Sequence, residues 1–451
     1  MSVEYALVVP NPQVKAIYEE VKRKELKAIF ISDMYLPKDI VTAMLRKCGY
    51  MVGDEDIFLS GELGLTKASG RLFAHVQREL KCEASEFLHV GDNELSDFEK
   101  AKQAGWNAWL VRQPAPLHKS SNRFTTSYTC ALQKFFIWDS GRYVDRAREL
   151  GYMEVGPALL WFTLWLVETA KRARVKQLYF VARDGRTLKR AYDVVTRGMQ
   201  DAPKSRYLAV SRLALGHPLA AAYLEQQGIG DVSEIQGIVD VGWKGTARQR
   251  ISQLVGQEVL GYYMCLFSRQ PSTESWIERS QHPTIFRPCL TEGTGLLERL
   301  LSAQHGTVLG YVRRKGKVKP LLRSGAVWSQ SLSHLQAGAL QFVKEAVGFG
   351  GLDVLDQLRD DGHALRRLCR LIAFPTRTEA ELLGPMAWST GLGDPDGSMR
   401  ALAPRLRLSK QLRNDWRNVP WRPGSLRRSG MGGVILAGYL LSRIVRWKAM
   451  G

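Results

Sequence analysis

The sequence is short of acids. Its 451 residues carry 64 Lys and Arg against 44 Asp and Glu, a formal net charge of +20. That balance favours an acidic partner such as nucleic acid, an anionic membrane surface or a phosphorylated small molecule. Residues 401–451 hold eleven Lys/Arg and one Asp, a local +10. A nucleic-acid module would instead carry its charge on a folded face with interleaved aromatics, so no specific nucleic-acid partner is expected. Cysteine is scarce as well. Cys48, Cys82, Cys130, Cys265, Cys289 and Cys369 are scattered and form no CxxC pair, which argues against zinc knuckles and a disulfide framework and fits a reducing compartment. No run of 18 uncharged apolar residues occurs, so no helix clearly spans a membrane. "MSVEYALVVPNPQ" lacks the basic start and apolar run of a signal peptide. A cytoplasmic location is expected. One local absence matters more than these: no Asp precedes Asp33, and the earlier acids are Glu4, Glu19, Glu20 and Glu25.

What is present suffices for folded domains. The chain is 45% hydrophobic and 24% charged, enough for a sizeable core, and its length favours two or three domains. Residues 27–111 alternate strand and helix: strands at "KAIFIS" (27–32), "DIFLS" (56–60), "FLHVGD" (87–92) and "NAWLV" (107–111), with helical spacing from Lys67 to Leu80 and a helix after residue 92. This rhythm predicts a parallel sheet covered by helices. Residues 112–129, rich in Pro, Ser and Thr, read as a linker. A second alternating region follows, with strands at 176–182, 206–211, 237–241 and 261–267. The apolar stretch 156–173 has an uncharged core of 12 residues, too short to span a bilayer, and reads as a buried helix. Beyond about 325 the chain reads as mainly helical.

Ligands of parallel sheets bind at the carboxyl ends of strands. In the first region Ser32-Asp33 end one strand, Asp92-Asn93 end another, Asp97 follows on a short loop, and Lys67 is expected to begin a helix between them. A hydroxyl, an ammonium and two carboxylates on one rim suit a phosphoryl group with Mg²⁺. The structural alternative is that Ser32 caps a turn, Lys67 is a solvated charge, and Asp92 and Asp97 cap the next helix.

The order of these motifs resembles the haloacid dehalogenase (HAD) superfamily of phosphohydrolases. "FISDMYLP" is similar to its second motif, "GLTKASGRLF" to its third and "HVGDNELSD" to its fourth. The resemblance implies Ser32 and Lys67 as phosphate contacts and Asp92 and Asp97 as metal-site acids for Mg²⁺. "SDMYLP" together with "VARDGRTL" resembles the large HAD-like proteins associated with bacterial surface polysaccharide synthesis, over about residues 10–310. In that family an Asp of a DxD pair attacks phosphorus. It follows the first strand, which lies at the centre of the sheet between the strands of motifs two and four. No such pair precedes Ser32. Asp54 and Asp56 lie before a strand, and Asp394 and Asp396 sit in a turn-like setting. Either "YALVVP" (5–10) or another segment fills the central position, or the chain is a truncated form, which the likeness of "VVPNPQVKAIYEEVK" to the return from a cap insert favours. The expected fold is α/β: an incomplete HAD-like Rossmannoid parallel sheet (1–112), a linker (113–135), a second α/β domain (136–325), a helical region (326–412) and a basic, Trp-rich segment (413–451).

The second region carries its own polar strand ends. "FVARDG" supplies Arg183 and Asp184, "AVSR" supplies Ser211 and Arg212, and "IVDVGWKGT" supplies Asp240, Lys244 and Thr246 at a helix start. Glycines and free N–H groups at a helix N-terminus attract anions. If the ends meet, they form a pocket for a phosphorylated or nucleotide-sugar ligand. An ordinary strand–turn–helix with salt bridges explains the same residues. "ARDGRTL" is also similar to the tail of a HAD first motif, but with Ala182 at the attacking position. Glu298 and His305, seven apart, would share a helix face as an acid/base pair, against the plainer reading of a hydrogen-bonded histidine. Trp416, Trp421 and Trp447 with flanking arginines suit either a membrane interface or a helix packed on the body. The expected activity is that of a HAD-like hydrolase without its nucleophile. The alternatives are a membrane-peripheral protein that binds phosphorylated glycan precursors, or a sugar transferase using the 183–246 pocket.

Overall fold

The computed structural model describes residues 10–111, 145–280, 283–324, 329–357, 363–388 and 419–430, with residues 5, 8, 400, 401, 403, 437, 439 and 440. The chain divides into two compact units: residues 1–122 with 133–144, and residues 123–132 with 145–451. The expected linker lies outside the described residues, as do Trp416 and Trp447.

In the first unit, α1 (Pro12–Arg23) leads into β1 (Phe30–Ser32), α2 (Lys38–Lys47), β2 (Ile57–Leu59), α3 (Arg71–Leu80), β3 (Leu88–Gly91), α4 (Lys100–Gln103) and β4 (Asn107–Leu110). All four predicted strands form. They do not form one sheet. β1 pairs with β2, Ile31 opposite Phe58, and β3 pairs with β4, His89 opposite Ala108; both pairs are parallel, and each is a separate two-stranded sheet. β1 and β3 are thus each paired on one edge. Among the described residues no strand lies between them, and Tyr5 of "YALVVP" is helical. An unpaired strand edge leaves backbone donors and acceptors without partners. Side chains nevertheless converge across the break: Ile31, Phe58 and Ala108 pack on one cluster with Phe73, Val76 and Trp106. Leu88, which opens β3, remains 54% exposed.

Lys67 does not begin a helix. Thr66 and Ser69 close a hydroxyl-bonded turn, with the Ser69 amide donating to Thr66 Oγ1 at 3.2 Å. Gly70 then adopts φ +75° and α3 starts at Arg71. Short hydroxyl side chains that bond nearby backbone favour a turn over a helix here.

The second unit is built on a five-stranded, all-parallel sheet. Helix α5 (Arg146–Leu150) runs through a π turn at Gly151–Val155 into α6 (Gly156–Arg172). These are followed by β5 (Gln177–Val181), α7 (Gly185–Val195), β6 (Lys204–Leu208), α8 (Ala220–Gln226), β7 (Gln236–Trp243), α9 (Thr246–Val255), β8 (Leu260–Leu266) and β9 (Thr273–Ser275). The strand order is β6-β5-β7-β8-β9. Buried runs such as Leu178-Tyr179-Phe180-Val181 and Tyr262–Leu266 fit strands covered on both faces. The segment Arg146–Arg172 is long and apolar enough to cross a membrane, but 89% of its most apolar stretch is buried inside the protein. It is a core helix, as its short uncharged centre predicts.

Helices α10 (Pro283–Thr291) and α11 (Thr294–Leu301) precede an antiparallel hairpin of β10 (Val308–Arg314) and β11 (Lys317–Leu322). The remaining described elements are α12 (Gln330–Gln357), α13 (His363–Ala373), α14 (Arg377–Leu383), the two-residue strands β12 (Ala387–Trp388) and β13 (Arg400–Ala401), and α15 (Arg422–Arg428). This region is mainly helical, as predicted. Its described helices belong to the second unit rather than to a domain of their own: α12 packs on α5, α6 and α7. Glu154, 1% exposed, pairs with Arg367 at 2.7 Å and Arg370 at 3.2 Å, and Arg370 pairs with Glu379 at 2.7 Å. A buried carboxylate is tolerable only with such partners.

Candidate functional sites

In the first unit the carboxyl ends of β1 and β3 are joined through Lys67. The Lys67 amide donates to Asp33 Oδ1 at 2.9 Å, and its ammonium meets Asp97 Oδ1 at 2.5 Å. His89 Nε2 lies 3.2 Å from the same oxygen, and the Asn93 amide donates to Asp97 Oδ2 at 3.0 Å. Asp97 can reach this position because residue 91 is glycine: a Cβ there would fall 2.4 Å from the Asp97 carboxyl carbon. Burial pushes the Asp97 carboxyl up. The hydrogen bonds from His89, Lys67 and Asn93, with the Lys67 charge, outweigh burial and hold it well below the usual carboxylate range. Asn93, rather than Asp92 or Asp97, caps the following turn, accepting from the Leu95 and Ser96 amides. Ser32 is half-buried at the end of β1, and Asp92 is exposed beyond β3.

Among the described residues no group of three or more His, Cys, Asp or Glu is arranged to hold a metal. Asp97 thus accepts from Lys67, His89 and the Asn93 amide, and Asp92 is exposed.

In the second unit the chain goes from β5 outward to β6 and returns across to β7. Crevices open at such reversals, outside the carboxyl ends of the strands. A cavity of about 250 Å³ lies there, and all seven residues singled out in the sequence line it: Arg183, Asp184, Ser211, Arg212, Asp240, Lys244 and Thr246. Gly242, at φ +153°, lets β7 pass close to β8; a Cβ would fall 1.9 Å from the Cys265 carbonyl oxygen. Gly245, at φ +60°, turns the chain into α9.

The floor of this cavity is acidic. Asp184, Asp240 and Glu298 are half-buried and line the cavity. Burial pushes the Asp184 carboxyl well above the usual range, and the charges of Glu298 and Asp240 add to this against the opposing Arg183. Burial likewise raises Asp240, to about 7; the Val241 amide and Arg212 pull it down, and Glu298 pushes it up. The Arg212 and Lys244 side chains are exposed and make no hydrogen bond or ion pair with the described residues. Thr246 and Ala247 of the first turn of α9 also line the cavity. A carboxyl raised to about 7, as Asp240 is, beside exposed cations can donate to hydroxyls or move protons, and the cations can bind anions.

Several expectations need correction. Ser211 and Arg212 do not end a strand: β6 stops at Leu208, because the Ala209 amide turns to Tyr223 Oη at 3.1 Å. Ser211 lines the cavity, but its hydroxyl donates to the Val308 carbonyl at 2.6 Å and accepts from the Ala214 amide at 3.0 Å, so it braces the loop. Glu298 and His305 do not share a helix, since α11 ends at Leu301. Glu298 faces the cavity and accepts from Trp243 Nε1 at 2.9 Å. His305 is a structural histidine, with Nε2 2.7 Å from Tyr207 Oη and Nδ1 2.8 Å from the Gly306 carbonyl. Trp421 is not an interfacial ring. It is fully buried, donating to the Ile372 carbonyl at 2.7 Å. Its neighbouring arginines are held by the body: Arg422 by Glu292 at 3.5 Å, Arg427 by the Pro375 carbonyl at 3.0 Å and Arg428 by Glu381 at 3.3 Å.

Glu298, Trp243 and Phe267 are lining residues that the strand-end pattern did not identify. Phe267 directly follows β8, an apolar strand end with no polar mark, and Trp243 is an apolar residue between Gly242 and Lys244. No protein-family model matches the chain, and a search of curated proteins gives no match.

Proposed function

We propose that this chain is a HAD-like protein, of the large type associated with bacterial surface polysaccharide synthesis, whose first unit keeps the phosphohydrolase cradle without its attacking carboxylate. One observation carries the reading. The strands bearing the second- and fourth-motif residues form two separate parallel pairs, each with an edge left unpaired, while Lys67 ties their carboxyl ends together. The position between β1 and β3 is where that family holds its nucleophile strand. A covalent phospho-aspartate route needs that nucleophile, so the chain with these residues is not expected to hydrolyse phosphomonoesters. Asp92 would hold magnesium, with Asp97, paired to Lys67, as its supporting acid.

The test is an activity assay with p-nitrophenyl phosphate and Mg²⁺. The chain as given should show no turnover. Joining a strand ending in Phe-Asp-x-Phe-Asp-Thr ahead of residue 1 should restore it, and Asp92→Ala should then abolish it. Turnover by the unextended chain that survives Asp92→Ala would overturn the assignment.

A second reading is favoured by the cavity of the second unit. There the chain acts as a binding protein or sugar transferase for phosphorylated glycan precursors, with Arg183, Arg212 and Lys244 supplying the positive charge.

A further inference from the structure

The cavity at the strand-order reversal of the second unit has a polarity that the first unit lacks. Its exposed rim carries Arg212 and Lys244, with the first turn of α9 beside them, and its half-buried floor carries Asp184, Asp240 and Glu298. Cations and free helix N–H groups select a phosphate. An inorganic phosphate would reach the rim cations and leave the floor carboxyls without a ligand contact, so it satisfies only half of the site. Carboxyls at the floor of a cavity suit hydroxyl groups, which both donate and accept. Asp184 has no hydrogen bond with the described residues, so it is open to such a partner. The size narrows the choice further. At about 250 Å³ the cavity is smaller than the roughly 300–1,000 Å³ of sites for drug-sized ligands. A nucleotide sugar exceeds it, and a nucleic-acid strand would set its phosphates against the acids.

We propose that this cavity binds a monophosphorylated sugar, its phosphate outward against Arg212 and Lys244 and its hydroxyls inward against Asp184, Asp240 and Glu298. The inference stands apart from the reading of the first unit. That reading fails through hydrolysis, and this one fails through binding.

Isothermal titration of the full chain with α-D-glucose 1-phosphate, glucose, inorganic phosphate and UDP-glucose tests it. Glucose 1-phosphate should bind about ten-fold or more tighter than either glucose or inorganic phosphate, the equivalent of one added charge-assisted contact. The Arg212→Ala/Lys244→Ala double variant, altered at two exposed side chains, should weaken glucose 1-phosphate by at least about ten-fold. Glu298→Gln keeps an acceptor for Trp243 and should weaken the sugar phosphate without weakening inorganic phosphate. Three outcomes would overturn the proposal: inorganic phosphate binding as tightly as the sugar phosphate, UDP-glucose binding in its place, or no binding by any of the four. Melting curves within a few degrees of the parent establish that each variant is folded.

Discussion

Two polar strand-end sites sit in one chain, and they are in opposite electrostatic states. In the first unit the acid and the ammonium have found each other: Asp97 is held by Lys67, His89 and a backbone amide, and its carboxyl lies below the usual range. In the second unit the acids cluster with one another, the Asp184 and Asp240 carboxyls are raised, and the Arg212 and Lys244 side chains are exposed and make no ion pair within 4 Å among the described residues. A satisfied network contributes to folding and leaves little for a ligand. An unsatisfied one costs stability that a ligand with matching charges and hydroxyls can recover. Perturbed carboxyls in a cleft are the usual mark of a working site, and by that standard the second unit holds it.

The largest effect should come from breaking the satisfied side. Lys67→Ala strands the buried Asp97 carboxylate, and removal of one partner of a buried pair costs about 3–5 kcal/mol. Urea unfolding followed by a first-unit probe such as Trp106 fluorescence would read it. An unchanged midpoint would show that the Lys67–Asp97 contact is not closed in solution. Gly242→Ala should come next, at about 1–3 kcal/mol from overpacking. The new Cβ would meet the Cys265 carbonyl and spoil the cavity as well as the sheet.

The two units should also respond oppositely to pH. Asp97 has a depressed carboxyl, so its contribution is present above about pH 4 and is lost as pH falls through its lower folded value. Asp240 is raised to about 7, so its ionised form penalises folding above pH 7, and the penalty is relieved as pH falls towards about 4. The Glu298 and Arg212 charges act on Asp240, and Asp240 in turn acts on Asp184 and Tyr263. Hydrogen exchange at pH 8, 5 and 3 would separate the units: protection in β7 should rise between pH 8 and 5, while protection around β3 should fall only below pH 4. Parallel loss in both units would remove the contrast. The smallest expected effect is the stability change of Lys244→Ala, within about 0.5 kcal/mol because the side chain is exposed and unpaired.

Most of the strands were legible because buried parallel strands are short apolar runs ending in glycine or a polar residue, as in "DIFLS" and "IVDVGW". The seven cavity residues were found by the same rule, since each polar residue beyond a strand marks a carboxyl end. What lay hidden depends on contacts distant in sequence. Glu298 enters the cavity from α11, and no local pattern connects it with Trp243. The hairpin β10–β11 was missed although Lys315-Gly316, both at positive φ, are a two-residue turn signal. Trp421 looked interfacial because Trp beside Arg suits a membrane surface equally well; only the Ile372 carbonyl and the core around it decide the matter. The break between β1 and β3 was partly legible, as the want of an Asp before Asp33.

The central claim is that the second unit, not the first, offers the open anion site. A crystal grown with α-D-glucose 1-phosphate tests it most directly. The account predicts phosphate density between Arg212 and Lys244, with the sugar over Asp184 and Asp240, and an intact Lys67–Asp97 pair. Phosphate bound at Lys67 and Ser32, with the cavity of the second unit empty, would contradict it.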